Sequence, residues 1–287
     1  MSKKGRIVAF YSSKKTGLSS IASVSSKNKR KGQITIFIIA GMLLVAGILI
    51  FFLFRGGVIP EIGGKTESNP ASFLDSCIDG KISEAGKEIS ISGGDLNPEL
   101  YINFMFTDDG FFKNISYLCY TQNNFRPCVV QKPTLLLDMQ NEIKDYISED
   151  FKSCFSEMLK DYQSQGFYVG TSSGLDDFDV ELEPRRITLK TNSEVTLTKS
   201  GETTTEEDLK VIVPSRLYEI VLTANEIASQ ESQFCYFEST GFVLAYPEFS
   251  IDKFIVESGV KIYTIMNDGT EEKFRFAVRS CAVPPGF

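Results

Sequence analysis

Five carboxylates fall within eight positions at Asp176, Asp177, Asp179, Glu181 and Glu183. Along a strand, where side chains alternate, Asp179, Glu181 and Glu183 share one face, and close-set carboxylate oxygens are the ligands calcium takes. An exposed strand face of any acidic domain presents the same pattern. Little other chemistry is open to this chain. It has no histidine and no tryptophan. The first absence removes the commonest general base and zinc ligand, and with them every Ser-His and Cys-His nucleophile pair. No phosphate-binding glycine loop, dinucleotide fingerprint, nucleophile elbow or paired C-x-x-C occurs. With 37 carboxylates and no reason to single out a pair, the residues point to no catalytic site and no cofactor. A surface hydrolase working by carboxylates alone is the least supported reading.

The cysteines are more informative. All six, Cys77, Cys119, Cys128, Cys154, Cys235 and Cys281, lie in the later part of the chain. An even number so confined fits an oxidising compartment, although six allow about 15 pairings and some could simply be small buried apolar residues. Cys119 and Cys128 flank a short turn-like stretch, YTQNNFRP. Cys77 and Cys154 each fall on the apolar stripe of an expected helix and could join the two. Cys235 and Cys281 could close the last portion.

Charge divides the chain sharply. The first 54 residues hold nine of the 30 Lys and Arg and no acid, so 21 basic groups face 37 acidic ones from Arg55 onward, a net charge of −16. Such a domain repels nucleic acid, whose binding depends on clustered Lys and Arg. Between the two parts, residues 34–54 carry no charge. As a helix they extend about 32 Å, enough to span a bilayer's hydrocarbon core, and the basic flank predicts a cytoplasmic N-terminus with the acidic part outside. Residues 1–33 read as a disordered basic leader or tail, and 55–68 as a Gly/Pro linker. Ala40, Gly41, Ala46 and Gly47 gather on one side of the run, where small residues permit close helix packing.

At the seam, Lys29-Arg30-Lys31-Gly32 precedes Gln33-Ile34-Thr35-Ile36-Phe37. This stretch resembles the leader of archaeal type IV pilin-like precursors, which a membrane prepilin-type peptidase cuts immediately before a Gln. The resemblance implies cleavage between Gly32 and Gln33, the bilayer and that peptidase as partners, and export to the cell surface. Two departures bear on the filament such precursors build. Phe37 stands where the family usually has an assembly Glu, and Gly56, Gly57, Pro60, Gly63 and Gly64 interrupt any continuation of the helix.

The acidic part, 69–287, reads as α+β, with a possible subdivision near 170. Asn69-Pro70 opens a helix with Phe73, Leu74, Ile78, Ile82, Ala85 and Ile89 at helical spacing, stopped by Gly93-Gly94. A hairpin is expected around Asp108-Asp109-Gly110. Asn114-Ile115-Ser116 within it matches the N-glycosylation pattern. A long helix over 134–165 carries a stripe from Met139 to Tyr162. Period-two segments FDVELE, RITLK, EVTLTK and DLKVIV predict an antiparallel sheet, then Leu217, Val221, Ala224 and Ala228 line a further helix, and DKFIV, VKIYTIM and KFRFAV form the closing strands. The segments KPTLLLDMQNEIKDYISEDFKSCF, RITLKTNSEVTLTKSG, VPSRLYEIVLTANEIASQ and FRFAVRSC resemble a group of membrane-anchored proteins of small-genome archaea, which implies location and architecture but no activity. The composite expectation is a single-pass surface protein presenting a disulfide-stabilised domain for structural or binding work, with a surface protein or a second copy as partner. The alternative is a subunit of a pilus-like filament.

Overall fold

The computed structural model describes residues 39, 41–45, 69–107, 110–174, 177–256 and 259–283. The chain divides into two compact units, Met1–Thr66 and Glu67–Phe287. The expected transmembrane helix is corrected: among the described residues no helix is long and apolar enough to cross a membrane. Of the run 34–54, only Ile39 and residues 41–45 are described. Five consecutive helical residues rise about 7 Å, far short of a roughly 30 Å hydrocarbon core. The long helices of the second unit carry charged faces and are built to pack on one side only.

The second unit is α+β. Helix α1 (Pro70–Ile91) starts where Asn69 Oδ1 accepts from Ala71 N–H and Pro70 supplies the preset first turn. It ends at Gly93 and Gly94, both at positive φ, where an added Cβ on Gly93 would lie 2.8 Å from Ser116 Cβ. Helix α2 (Leu135–Ser164) buries Met139, Ile143, Ile147, Phe151, Phe155, Met158 and Tyr162. Helix α3 (Leu217–Phe234) buries Leu217, Val221, Ala224 and Ala228. A short helix, α4 (Ser239–Ala245), follows.

Three sheets accompany them. The largest runs β1 (Tyr101–Met105), β2 (Phe112–Tyr120), β12 (Lys273–Arg279), β11 (Lys261–Asn267), β10 (Phe249–Ile255), with β3 (Val129–Val130) paired to β2. All its ladders are antiparallel except β12 with β2, which is parallel and carries a register shift between Ala277 and Val278. The expected single sheet after residue 170 is instead two three-stranded sheets. One pairs β5 (Phe178–Glu183), β6 (Arg186–Thr191) and β9 (Lys210–Pro214); the other pairs β4 (Tyr168–Thr171), β7 (Val195–Lys199) and β8 (Glu202–Glu206). Helices α1 and α3 touch both the large sheet and the β5-β6-β9 sheet. One core therefore gathers Leu74, Ile78 and Ile82 from α1, Phe151 from α2, Phe178 from β5 and Phe274 from β12. The Phe151 and Phe178 rings meet with centroids 4.3 Å apart.

All six cysteines are paired, as Cys77–Cys154, Cys119–Cys128 and Cys235–Cys281. The first joins α1 to α2 across 77 residues of sequence; the second closes a separation of only 9. The entropy a cross-link removes from the unfolded chain grows with the loop it closes. Cys77→Ser with Cys154→Ser is therefore expected to cost roughly 4–5 kcal/mol, against roughly 2–3 kcal/mol for Cys119→Ser with Cys128→Ser. Denaturant unfolding measures both, and equal losses would contradict this account.

Candidate functional site

The large sheet has two faces, set by alternation along its central strands. Tyr263 and Ile265 on β11 and Phe274, Phe276 and Val278 on β12 turn into the helix-backed core. The opposite parity on those strands, Ile262 and Ala277, joins Ile115, Tyr117 and Val260 in a second, separate cluster, with Ile102, Phe104 and Phe106 packed against it. Burial on both faces needs a cover on the second one, and the sheet's own edges supply it. Phe104 on β1 and Phe254 on β10 have ring centroids 5.3 Å apart, although β2, β12 and β11 stand between those strands. In a flat sheet, strands four places apart are separated by roughly 19 Å. The sheet is therefore strongly curled, and the register shift in the β2–β12 ladder is the kind of irregularity that bends strands and increases local twist.

Curling leaves a concave cavity of about 570 Å³. Its floor is Ile262, Thr264 and Met266 of β11 with Lys273 and Arg275 of β12; its walls are Phe104, Met105, Phe106 and Thr107 on one side and Asp252, Lys253 and Phe254 on the other. Arg275 is 2% exposed. Its guanidinium carbon lies 3.8 Å from the centroid of the Phe106 ring, a cation–π contact that holds the ring over the floor. Phe104 and Phe106 meet edge to face at 4.8 Å. Phe254, by contrast, is 53% exposed and forms the rim. Lys253 pairs with Tyr263 across the ladder, so its side chain leaves toward the opposite face, where its Nζ sits 4.9 Å from the Tyr236 ring centroid.

A second cavity of about 750 Å³ borders Gly86 and Lys87 of α1, Leu217 of α3, and Glu272 and Lys273. Its volume is greater, but of its two lining carboxylates, Glu271 and Glu272, the second is already engaged. Glu272 accepts from Ser215 Oγ and from Arg216 N–H, both at 2.6 Å, and so caps the start of α3. That space is a seam between elements; the concave face is the better site.

Behind the sheet lies a buried ionic knot. Glu231 of α3, 0% exposed, accepts from Lys261 Nζ at 2.6 Å and from Tyr263 Oη at 2.5 Å. Lys261 also donates to the Cys235 carbonyl, and Ser280 Oγ donates to the Glu231 carbonyl while accepting from Cys128 N–H. Burial pushes the Tyr263 phenol up, with the Glu231 carboxylate adding to the shift, so it stays protonated and keeps donating. The knot fastens α3, β11 and two of the disulfides together; it faces no cavity described above.

The residues singled out by sequence are distributed differently. Phe178, Val180 and Leu182 turn inward and Asp179 and Glu181 outward, as alternation requires. The calcium reading of Asp179, Glu181 and Glu183 is nonetheless corrected. Asp179 accepts from Lys144 Nζ at 3.0 Å and from Asn192 Nδ2 at 3.0 Å, and Glu183 accepts from Arg186 Nε at 2.8 Å and Thr188 Oγ1 at 2.6 Å. Among the described residues no group of three or more acidic, Cys or His side chains is placed to hold a metal ion. Asn114 is exposed on β2 and its Oδ1 accepts from Asn103 Nδ2 at 2.9 Å; Ser116, two places on, is buried. Gly41 is helical and exposed, whereas Gly32, Gln33, Ala40, Ala46 and Gly47 lie outside the described residues. The cavity residues Phe104, Phe106, Phe254 and Arg275 were not singled out by sequence. Their only signal is shared parity, 262/264/266 with 273/275, on two strands whose other parity is core, with 252/254 of β10 in register beside them.

The chain matches no family model, no curated protein and no solved structure.

The partners of Glu183 have a measurable consequence. Hydrogen bonds from Arg186 and then Thr188 hold its carboxyl at about 2, below the ordinary 4.5. A depressed carboxylate contributes stability above its unfolded value and loses it as pH falls through the folded one, so this contact persists to about pH 2. Arg186→Gln is expected to raise the Glu183 value toward 4.5, read by side-chain carboxyl NMR titration. An unmoved value would contradict the assignment.

Proposed function

We propose that Glu67–Phe287 is a binding domain that works in an oxidising compartment outside the cytoplasm, and that its ligand enters the concave face of the large sheet. The observation that carries this reading is the cavity itself. Its rings and its one deeply set cation are held in place by packing, and its rim is open. Its volume falls within the roughly 300–1,000 Å³ usual for sites that take a small molecule. The pairing of every cysteine supports the compartment, because structural disulfides persist where thiols are not kept reduced. Binding is favoured over turnover by the composition of the lining. Asp252 is the one carboxylate among the described lining residues, and no Ser, Cys or Tyr stands beside it as a nucleophile.

The neutral fluorophore N-phenyl-1-naphthylamine tests the reading on the full chain. Its emission is expected to rise on binding and to fall by about tenfold in apparent affinity in Phe254→Asp, which sets a charge on the apolar rim. Any binding by other apolar segments is common to both proteins, so only the difference reports the cavity. Identical titrations of a folded Phe254→Asp variant and the parent would overturn the proposal.

A further inference from the structure

We infer that the end of the domain around the Cys235–Cys281 disulfide is a docking surface for an anionic lipid bilayer. Three segments meet there, 121–130, 229–237 and 279–283. Cys281 is bonded to Cys235 and donates its N–H to the Arg126 carbonyl at 2.7 Å, and the next residue, Ala282, accepts from Phe125 N–H at 3.1 Å. The Cys119–Cys128 disulfide closes the loop that carries Phe125 and Arg126. Each segment is thus fixed to another by a covalent bond or a main-chain hydrogen bond, and the side chains they project are held as one group.

That group is apolar and basic. Phe234 is 69% exposed, and Phe125, Val129 and Val283 are exposed with it. The three segments carry Arg126, Arg279 and one acid, Glu231, which is buried and paired with Lys261. From Arg55 onward 37 acidic residues face 21 basic ones, so this end reverses the charge of the surface around it. Arg126 is exposed. Arg279 donates to the Thr121 carbonyl and to Asn124 Oδ1, both uncharged, and keeps its positive charge uncompensated by them. At the border, Glu238 accepts from Thr240 and Gly241 N–H and from Tyr236 Oη, and Lys253 stands over the same Tyr236 ring, which leaves that margin balanced. Exposed apolar side chains beside guanidinium groups suit a headgroup layer: the former enter the acyl boundary and the latter hydrogen-bond phosphate. In physiological salt charges act over roughly 8–10 Å, so the patch is felt on contact while the acidic remainder is held off, and the approach is oriented. A protein segment is the less favoured occupant, because these side chains stand out from the surface and line neither cavity described above.

The chain has no tryptophan, so Phe234→Trp in the full chain places a single fluorescent reporter in the patch. Tyr168→Trp places one on β4, at a residue 77% exposed and outside the three segments. Both proteins are bound to phosphatidylglycerol vesicles, with binding verified by sedimentation; whatever else in the chain brings it to lipid is common to both. The reporter at position 234 is expected to shift to the blue and to be quenched at least about twofold when acyl-brominated phosphatidylglycerol replaces the unbrominated lipid, with little change at position 168. Adding Arg126→Glu to the Phe234→Trp chain is expected to cut that quenching by about half or more, with lipid-free emission unchanged. No quenching at position 234 in sedimenting protein, or equal quenching at 234 and 168, would overturn the inference. Equal quenching at 234 by brominated phosphatidylcholine would overturn its anionic character. A blue shift at 234 that follows protein concentration without lipid, and is unaltered by vesicles, would overturn it in favour of contact between copies of the chain.

Discussion

The parallel pairing of β2 with β12 is the constraint on which the rest of this fold depends. Parallel neighbours cannot be joined by a tight turn; the chain must leave one strand and cross over to the start of the other. Here the crossover runs from Tyr120 to Lys273 and includes α2, α3, both small sheets and the β10–β11 hairpin. Everything between must pack so that residues 277–279 arrive beside 117–120. The ionic knot of Glu231, Lys261 and Tyr263 sits where this closure is made, and Ser280 and Cys128 tie its two ends by a shared hydroxyl. A buried ion pair of this kind costs desolvation that its Coulomb attraction offsets only when its geometry is good. With two acceptor oxygens each engaged by a donor, Glu231 meets that condition, and it specifies which part of α3 lies on β11.

The same closure produces the site. Because β2 and β12 pair with a register shift, the β1–β2 hairpin does not continue the plane of β12-β11-β10 but bends over it. The sheet is then covered by helices on one face and by its own edges on the other. Closing one apolar layer with helices and a second with curvature leaves Arg275 trapped between Phe106 and the sheet, a cation at the bottom of a hydrocarbon-lined hollow. Cavity, charge and aromatic rim follow from how far the sheet curls, and the helical side of the protein serves to hold that curl in place.

Much of the fold was legible because burial leaves period in sequence. The stripe from Met139 to Tyr162 predicted α2, and FDVELE predicted a strand with its carboxylates outward. Both hold because one face of each element meets a core. The two small sheets were not separable, since β8 reads Glu-Thr-Thr-Thr-Glu and is largely exposed, with no apolar alternation to place it. Helix α4 was missed because it has no fully buried residue; Glu238, which accepts from the N–H groups of Thr240 and Gly241, was its only mark. The parallel ladder left a trace in the unbroken buried runs Ile115–Cys119 and Phe274–Val278, the pattern of strands covered on both faces. Curvature left none. Alternation records which face a side chain takes and is silent on whether two edges of a sheet meet, so the cavity was invisible and the exposed carboxylates of β5 drew attention instead.

The curl is the central claim, and proton NMR tests it most directly. With the phenylalanine rings of Phe104 and Phe254 selectively labelled, a ring-to-ring nuclear Overhauser effect is predicted, since the centroids lie 5.3 Å apart. Strands four places apart in an open sheet, roughly 19 Å, would give none. A missing effect in folded protein, with the β1–β2 and β10–β11 cross-strand effects intact, would contradict the curled sheet and the cavity with it.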